Sequence, residues 1–257
     1  MRLGNVNWYY LLFTFFFTVA TYNYMRLFQI RSYSGEHGFN QKFWFKQRVV
    51  QASFFTVVFS LIGSWFYLKI ASWTLVMLSI LPGLISLLYP LSFRNPMQSF
   101  TSLRTIPGLK VFLIASSWAY ITFLIPVIYW YDIQPLDWVE FGMRVFLIIA
   151  LIIPFDIRDL QMDDSQLRTL PQVLGVHRSK LLAMVLLGLY LVWKFIQHFL
   201  GCLTPEMLVA WTLGLMYAAV LIYKMNVSSS EIRSSFWIEG TPVLVVVLEL
   251  LFSQLYY

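Results

Sequence analysis

The stretch FDIRDLQMDDSQLRTLPQVLG, residues 155–175, connects two long apolar segments of the chain. Three of its carboxylates, those of Asp156, Asp159 and Asp163, would share a sector of roughly 60° on a helix. Like charges on one helical face repel, so a cation is expected beside them. That cation could be Mg²⁺, which prefers oxygen ligands, or a neighbouring arginine. The arginines within reach in sequence are Arg158, Arg168 and Arg178.

The composition is that of a membrane protein. Of the 257 residues, 59% are hydrophobic and only 12% are charged, whereas a soluble domain carries about 25% charged residues. Apolar runs of about twenty residues predict transmembrane helices, and they predict an all-α polytopic fold with a single transmembrane domain, residues 1–257. The eight predicted spans are approximately 8–28, 49–68, 71–91, 110–130, 138–155, 181–199, 206–224 and 237–255.

The distribution of basic residues predicts the topology. Most of the 18 Lys and Arg residues fall in the first, third, fifth and seventh connections between the predicted spans. The positive-inside rule then places these connections in the cytoplasm and both termini outside a cell membrane. The acidic stretch would therefore be cytoplasmic. This pattern explains the net charge of +6 without a nucleic-acid partner.

Few other residues indicate chemistry. The single cysteine excludes an internal disulfide, and the sequence has no nucleophile elbow, phosphate-binding loop or CxxC motif. Glu249 lies within the last predicted span, in VLVVVLELLFSQ (243–254), where an unpaired charge is costly. It predicts either a neutral, hydrogen-bonded side chain that faces the helix bundle or a part of an ion or proton path.

Two stretches resemble the UbiA superfamily of intramembrane prenyltransferases. Residues 155–175 are similar to its second aspartate-rich signature, Asp-x-x-Asp-x-x-x-Asp followed by Thr-Leu-Pro and glycine. Residues 87–120, LLYPLSFRNPMQSFTSLRTIPGLKVFLIASSWAY, resemble the family's basic loop and the helix after it. The resemblance implies helices around a lipid-facing cavity. It also implies transfer of a prenyl group from a polyprenyl diphosphate to an aromatic or other lipophilic acceptor.

The resemblance also implies roles for individual residues. Asp156, Asp159 and Asp163 would be the catalytic carboxylates and would hold Mg²⁺. Basic and polar residues would bind the substrate diphosphate, with Arg104 and Lys110 as the principal ones. The wider predicted substrate-binding set is Asn23, Arg26, Arg104, Lys110 and Arg158.

The sequence departs from the family at the first aspartate-rich signature. The corresponding stretch is NYMRLFQIR, residues 23–31, in which Asn23 matches but the carboxylate positions are Tyr24, Leu27 and Arg31. The first family helix is also expected to be missing. Two hypotheses follow for Arg26. It would either pair with Asp156 or Asp159 and close the pocket without a metal, or bind the diphosphate together with Arg104 and Lys110 while the second signature keeps one Mg²⁺.

Two functions therefore remain open. One is a Mg²⁺-dependent prenyltransferase. The other is a non-catalytic relative that binds an isoprenoid or a quinone, or that serves as a membrane subunit of a complex.

Overall fold

The structure is a computed structural model that describes most of the chain. For the two strands and for residues 26, 28–33, 39–47, 161 and 255 it describes the backbone only. The described ranges are 7–33, 39–88, 92–94, 100–102, 108–161, 169–227, 237–238 and 240–255. The chain divides into two compact units, Arg2–Leu103 and Arg104–Tyr257.

The described residues of the first unit form three helices and a small hairpin. The helices are α1 (Trp8–Tyr33), α2 (Phe39–Leu68) and α3 (Trp73–Leu88). The hairpin pairs β1 (Ser92–Arg94) with β2 (Phe100–Ser102) in antiparallel register. The sequence predicted helices only and did not predict this hairpin. Apart from this hairpin, the described residues bear out the predicted all-α fold.

Aromatic side chains hold α1 against α2. The Phe16 and Phe66 rings stack with centroids 5.7 Å apart, and Phe13 lies 4.8 Å from Tyr67. The backbones approach closely at Gly63, where an added Cβ would lie 2.5 Å from the Phe17 ring. Phe13 and Phe16 therefore pack within this unit, whereas Phe15 of the same aromatic run is 59% exposed.

The second unit is a bundle of antiparallel helices. Its elements are α4 (Leu109–Ala119), a π-helical turn (Tyr120–Leu124), α5 (Ile125–Trp130), α6 (Pro135–Arg158), a 3-10 turn (Asp159–Gln161), α7 (Leu170–Leu174), α8 (Val176–Phe199), α9 (Pro205–Lys224) and α10 (Thr241–Leu255). Contacts between opposite ends of neighbouring helices show the antiparallel arrangement. Lys180, near the start of α8, donates to the Tyr223 carbonyl at the end of α9.

Small residues set the packing of this bundle. The core includes Ala150, Ala183, Ala210 and Ala218, all of which are fully buried. At Gly214, an added Cβ would lie 2.3 Å from Val245 on α10. Without a large hydrophobic driving force between helices in lipid, such close backbone approach gives the van der Waals contact that holds membrane helices together.

Within the described part of the chain, five helical segments are long and apolar enough to cross a membrane. They are Arg48–Leu68, Leu109–Trp130, Pro135–Arg158, Val176–Phe199 and Pro205–Lys224. Trp73–Leu88 and Thr241–Gln254 are apolar but shorter. Each of the eight predicted spans coincides largely with a described helical segment, and the count of eight crossings stays a prediction.

Candidate functional site

The acidic stretch begins at the last turn of α6. Asp156 is 2% exposed, and its Oδ1 accepts a hydrogen bond from Lys110 Nζ at 2.9 Å. The Lys110 side chain is 22% exposed. Two residues predicted for different roles, one for the metal and one for the diphosphate, therefore form an ion pair.

Lys110 and Asp156 each lie at the helix end where the helix dipole disfavours their charge. Lys110 lies in the first turn of α4, which begins after Gly108 in a left-handed conformation with φ 70°, and Asp156 lies in the last turn of α6. A cation at a helix N-terminus and an anion at a helix C-terminus are each disfavoured by the helix dipole. Because the two helices are antiparallel, each charge offsets the unfavourable position of the other.

Asp159 is held by its sequence neighbour. Arg158 Nε donates to Asp159 Oδ1 at 2.6 Å and Arg158 Nη2 donates to Oδ2 at 2.9 Å. This two-bond geometry is the strong form of an arginine–carboxylate pair. The Arg158 guanidinium also lies 5.5 Å from the Phe155 ring. Both carboxylate oxygens of Asp159 therefore accept hydrogen bonds from the Arg158 guanidinium.

The motif continues into the helix that follows it. Thr169 N–H donates to Gln172 Oε1 at 2.9 Å at the start of α7. Pro171 occupies the first turn of α7, where its missing N–H costs no helical hydrogen bond. Gly175 adopts φ 80° between α7 and α8, a conformation that glycine adopts without strain. The Thr-Leu-Pro and glycine positions thus form a turn that leads into the next long helix.

The remaining predicted site residues are only partly described. Asn23 Nδ2 donates to the Val19 carbonyl within α1 at 2.8 Å. Arg26 lies in α1, but its side chain is outside the described residues, as are Arg104 and Asp163. The predicted pairing of Arg26 with Asp156 or Asp159 therefore stays a prediction.

The described carboxylates of the acidic stretch have cationic partners within the protein. Among the residues that the structure describes, no three His, Cys, Asp or Glu side chains lie close enough to hold a metal ion. Asp156 and Asp159 instead accept bonds from Lys110 and Arg158. The prediction that Asp156, Asp159 and Asp163 hold Mg²⁺ stays a prediction, because Asp163 lies outside the described residues.

A second polar cluster lies near the opposite end of α6, and the sequence interpretation missed it. Glu140 is buried and accepts bonds from Arg144 Nε at 2.7 Å, Trp193 Nε1 at 2.6 Å and Gln197 Nε2 at 3.0 Å. Lys194 Nζ lies 3.1 Å from both Glu140 oxygens. We name Glu140, Arg144, Trp193, Lys194 and Gln197 the buried charge cluster. Glu140 and Arg144 are four residues apart, a spacing that places an ion pair on one helical face.

Glu249 borders the buried charge cluster from α10. The charges of Lys194 and Arg144 act on it through space. Its Oε1 and the indole Nε1 of Trp211 are both buried, and the two side chains lie beside each other. Glu249 therefore faces the bundle in part, as one of the two sequence interpretations required.

In comparisons with known proteins, no family model, no curated protein and no solved structure matches the chain. The resemblance to the UbiA superfamily therefore rests on the quoted motifs alone.

Proposed function

We propose that this chain is a UbiA-like integral membrane protein that binds an isoprenoid or a quinone without transferring a prenyl group. The observation that carries the proposal is the ion pair between Lys110 and the buried Asp156 carboxylate. In the family that the motifs resemble, carboxylates at this helix end bind Mg²⁺ and a diphosphate. Here Lys110, a residue of the protein itself, supplies the positive charge beside Asp156.

The energetics favour the lysine over a metal. Mg²⁺ sheds its waters reluctantly and keeps near-ideal octahedral geometry. To bind Asp156 it would have to separate Lys110 from a carboxylate that is 2% exposed. Separating one partner of a buried pair costs about 3–5 kcal/mol. The altered first motif, NYMRLFQIR, offers no carboxylate to offset that cost.

Ligand binding to the purified protein tests the proposal. Binding of two matched probes, geranylgeranyl diphosphate and geranylgeraniol, would be measured in detergent with and without millimolar Mg²⁺. A non-catalytic binder takes up the neutral alcohol with an affinity that Mg²⁺ does not change. Asp156→Asn should leave that affinity within about twofold, because the amide still accepts a bond from Lys110. Diphosphate binding that requires Mg²⁺ and is lost in Asp156→Asn would refute the proposal.

A Mg²⁺-dependent prenyltransferase is the second candidate. What favours it is that Lys110 and Asp156, which the resemblance assigns to the diphosphate and the metal, lie in direct contact. In that function the diphosphate would draw Lys110 away and leave Asp156 to the ion. Release of inorganic diphosphate from geranylgeranyl diphosphate in the presence of a lipophilic acceptor and Mg²⁺ would establish this candidate.

The orientation in the membrane is part of the same proposal. The acidic motif faces the cytoplasm, and both termini and the connection between α8 and α9 lie outside. The distribution of Lys and Arg along the chain supports this orientation.

A further inference from the structure

Arg144 places a guanidinium within a membrane-spanning helix. It is the tenth residue of α6, which puts its Cα roughly 14 Å from the helix start. Its side chain is 18% exposed, so part of the guanidinium is open to the surroundings of the bundle. An ionisable residue in this position is a candidate functional group by default, because its burial in lipid is costly.

Most of the hydrogen-bonding capacity of Arg144 is unused. Its Nε–H bonds to Glu140 Oε1 at 2.7 Å. Within the described part of the chain, the structure records no acceptor for its terminal Nη1 and Nη2 groups. Glu140 cannot supply one, because its oxygens already accept bonds from Trp193, Lys194 and Gln197.

The charges of the buried charge cluster do not balance. Arg144 and Lys194 contribute two positive charges, and Glu140 contributes one negative charge. Lys194 is fully enclosed, with further contacts to Gln197 Oε1 at 2.8 Å and to the Tyr190 and Trp211 rings. Among the described residues, Glu249 is not within ion-pair distance of either cation. Of the two cations, Arg144 is the one with an accessible edge, since its side chain is 18% exposed and that of Lys194 is 1% exposed.

An aromatic ring packs against one face of the Arg144 guanidinium. The π-helical turn Tyr120–Leu124 interrupts the helix before Pro126, and the ring of Phe123 lies 4.5 Å from Arg144 Cζ. Single π turns within α-helices occur frequently at functional sites. Stacking on an aromatic ring holds the plane of a guanidinium and leaves its edge free for hydrogen bonds.

From these observations we infer that Arg144 binds the carboxylate of a lipophilic acid that enters from the bilayer. Two parallel N–H groups on the guanidinium edge match the two oxygens of a carboxylate. With Glu249 uncharged, one negative charge on the ligand balances the two cations and Glu140, whereas a doubly charged phosphate monoester would exceed that balance. The apolar remainder of the ligand stays in the hydrocarbon. Asp156 and Lys110 take no part, since Asp156 lies roughly 24 Å from Glu140 along α6.

Long-chain fatty acid binding provides the test. Oleate with a ¹³C-labelled carboxyl group would be added to the full-length protein in phosphatidylcholine nanodiscs, with methyl oleate as the neutral control. We expect saturable oleate binding that is at least about tenfold tighter than that of methyl oleate, because hydrogen bonds to charged groups are strong. The bound carboxyl group should stay ionised to a pH about one unit lower than in protein-free discs.

Two variants and a control assign the effect to Arg144. Arg144→Lys keeps the charge but loses the paired donors, so oleate affinity should fall about tenfold while methyl oleate binding is unchanged. The oleate affinity of Arg144→Gln should fall at least as far as that of Arg144→Lys. Arg178→Gln removes the same charge from an exposed position at the start of α8 and should bind oleate like the parent.

Three results would overturn the assignment. The first is oleate binding no tighter than methyl oleate. The second, which needs no variant to fold, is a ¹³C titration of the parent protein identical to that in protein-free discs. The third is displacement of bound oleate by a few per cent of phosphatidylglycerol in the discs, which would make the ligand a lipid phosphate.

Discussion

Removing Lys110 should destabilise the protein more than removing the charge of its partner. Lys110→Met leaves the Asp156 carboxylate, which is 2% exposed, without the cation 2.9 Å away. Leaving one buried charge uncompensated costs about 3–5 kcal/mol. Asp156→Asn keeps an acceptor for Lys110, whose side chain is 22% exposed and can extend towards water, so its cost is about 1–2 kcal/mol.

Thermal unfolding in detergent micelles measures this difference. For a chain of this size 1 kcal/mol corresponds to about 2–4 °C in Tm, so Lys110→Met should lower Tm by about 10 °C and Asp156→Asn by about 4 °C. The double variant should lie close to Asp156→Asn, because the second change removes nothing that the first has left. Lys224→Met is the matched control, since Lys224 is exposed at the end of α9. All variants would be scanned at one rate, because membrane proteins often unfold irreversibly.

Equal decreases in Tm for Lys110→Met and Asp156→Asn would contradict the assignment of Lys110 as the counter-ion of Asp156. A Mg²⁺ titration adds a second criterion. If millimolar Mg²⁺ restores the Tm of Lys110→Met but does not affect the parent, the carboxylate is competent to bind the metal once the lysine is gone. Restoration accompanied by diphosphate release would favour the prenyltransferase candidate.

Three further predictions test the bundle and its orientation. Gly214→Ala should lower the free energy of unfolding by about 1–3 kcal/mol, because the new Cβ would lie 2.3 Å from a valine methyl group of α10. Gly188→Ala is the control in the same unfolding assay. It should be neutral or slightly stabilising, because nothing lies within 4 Å of its new Cβ. Lys194→Met should cost about 3 kcal/mol by removing one of the two cations from the buried Glu140 carboxylate, and an unchanged Tm would contradict the cluster geometry. Cys202 is the only cysteine and is exposed, so a membrane-impermeant maleimide should label it in intact cells; labelling only after permeabilisation would invert the proposed topology.

The sequence predicted the parts of the structure that depend on local composition. Runs of apolar residues predicted helices because a backbone in lipid must satisfy its hydrogen bonds internally, and described helices occupy all eight predicted segments. Thr169, Pro171 and Gly175 were quoted from the sequence only as part of a family signature, and their residue types suit the helix start and the positive φ that the structure shows there. These features depend on neighbours in the chain, so they can be read from the order of residues.

Only the tertiary structure decided which charges meet. Lys110 and Asp156 are 46 residues apart, and Glu140 and Lys194 are 54 residues apart. Lys110 was predicted to bind a diphosphate and no chemical role was predicted for Lys194, whereas the structure pairs each of them with a buried carboxylate. Pairing of this kind depends on how antiparallel helices align, and that alignment is set by contacts such as Gly214 against Val245, which no local pattern encodes.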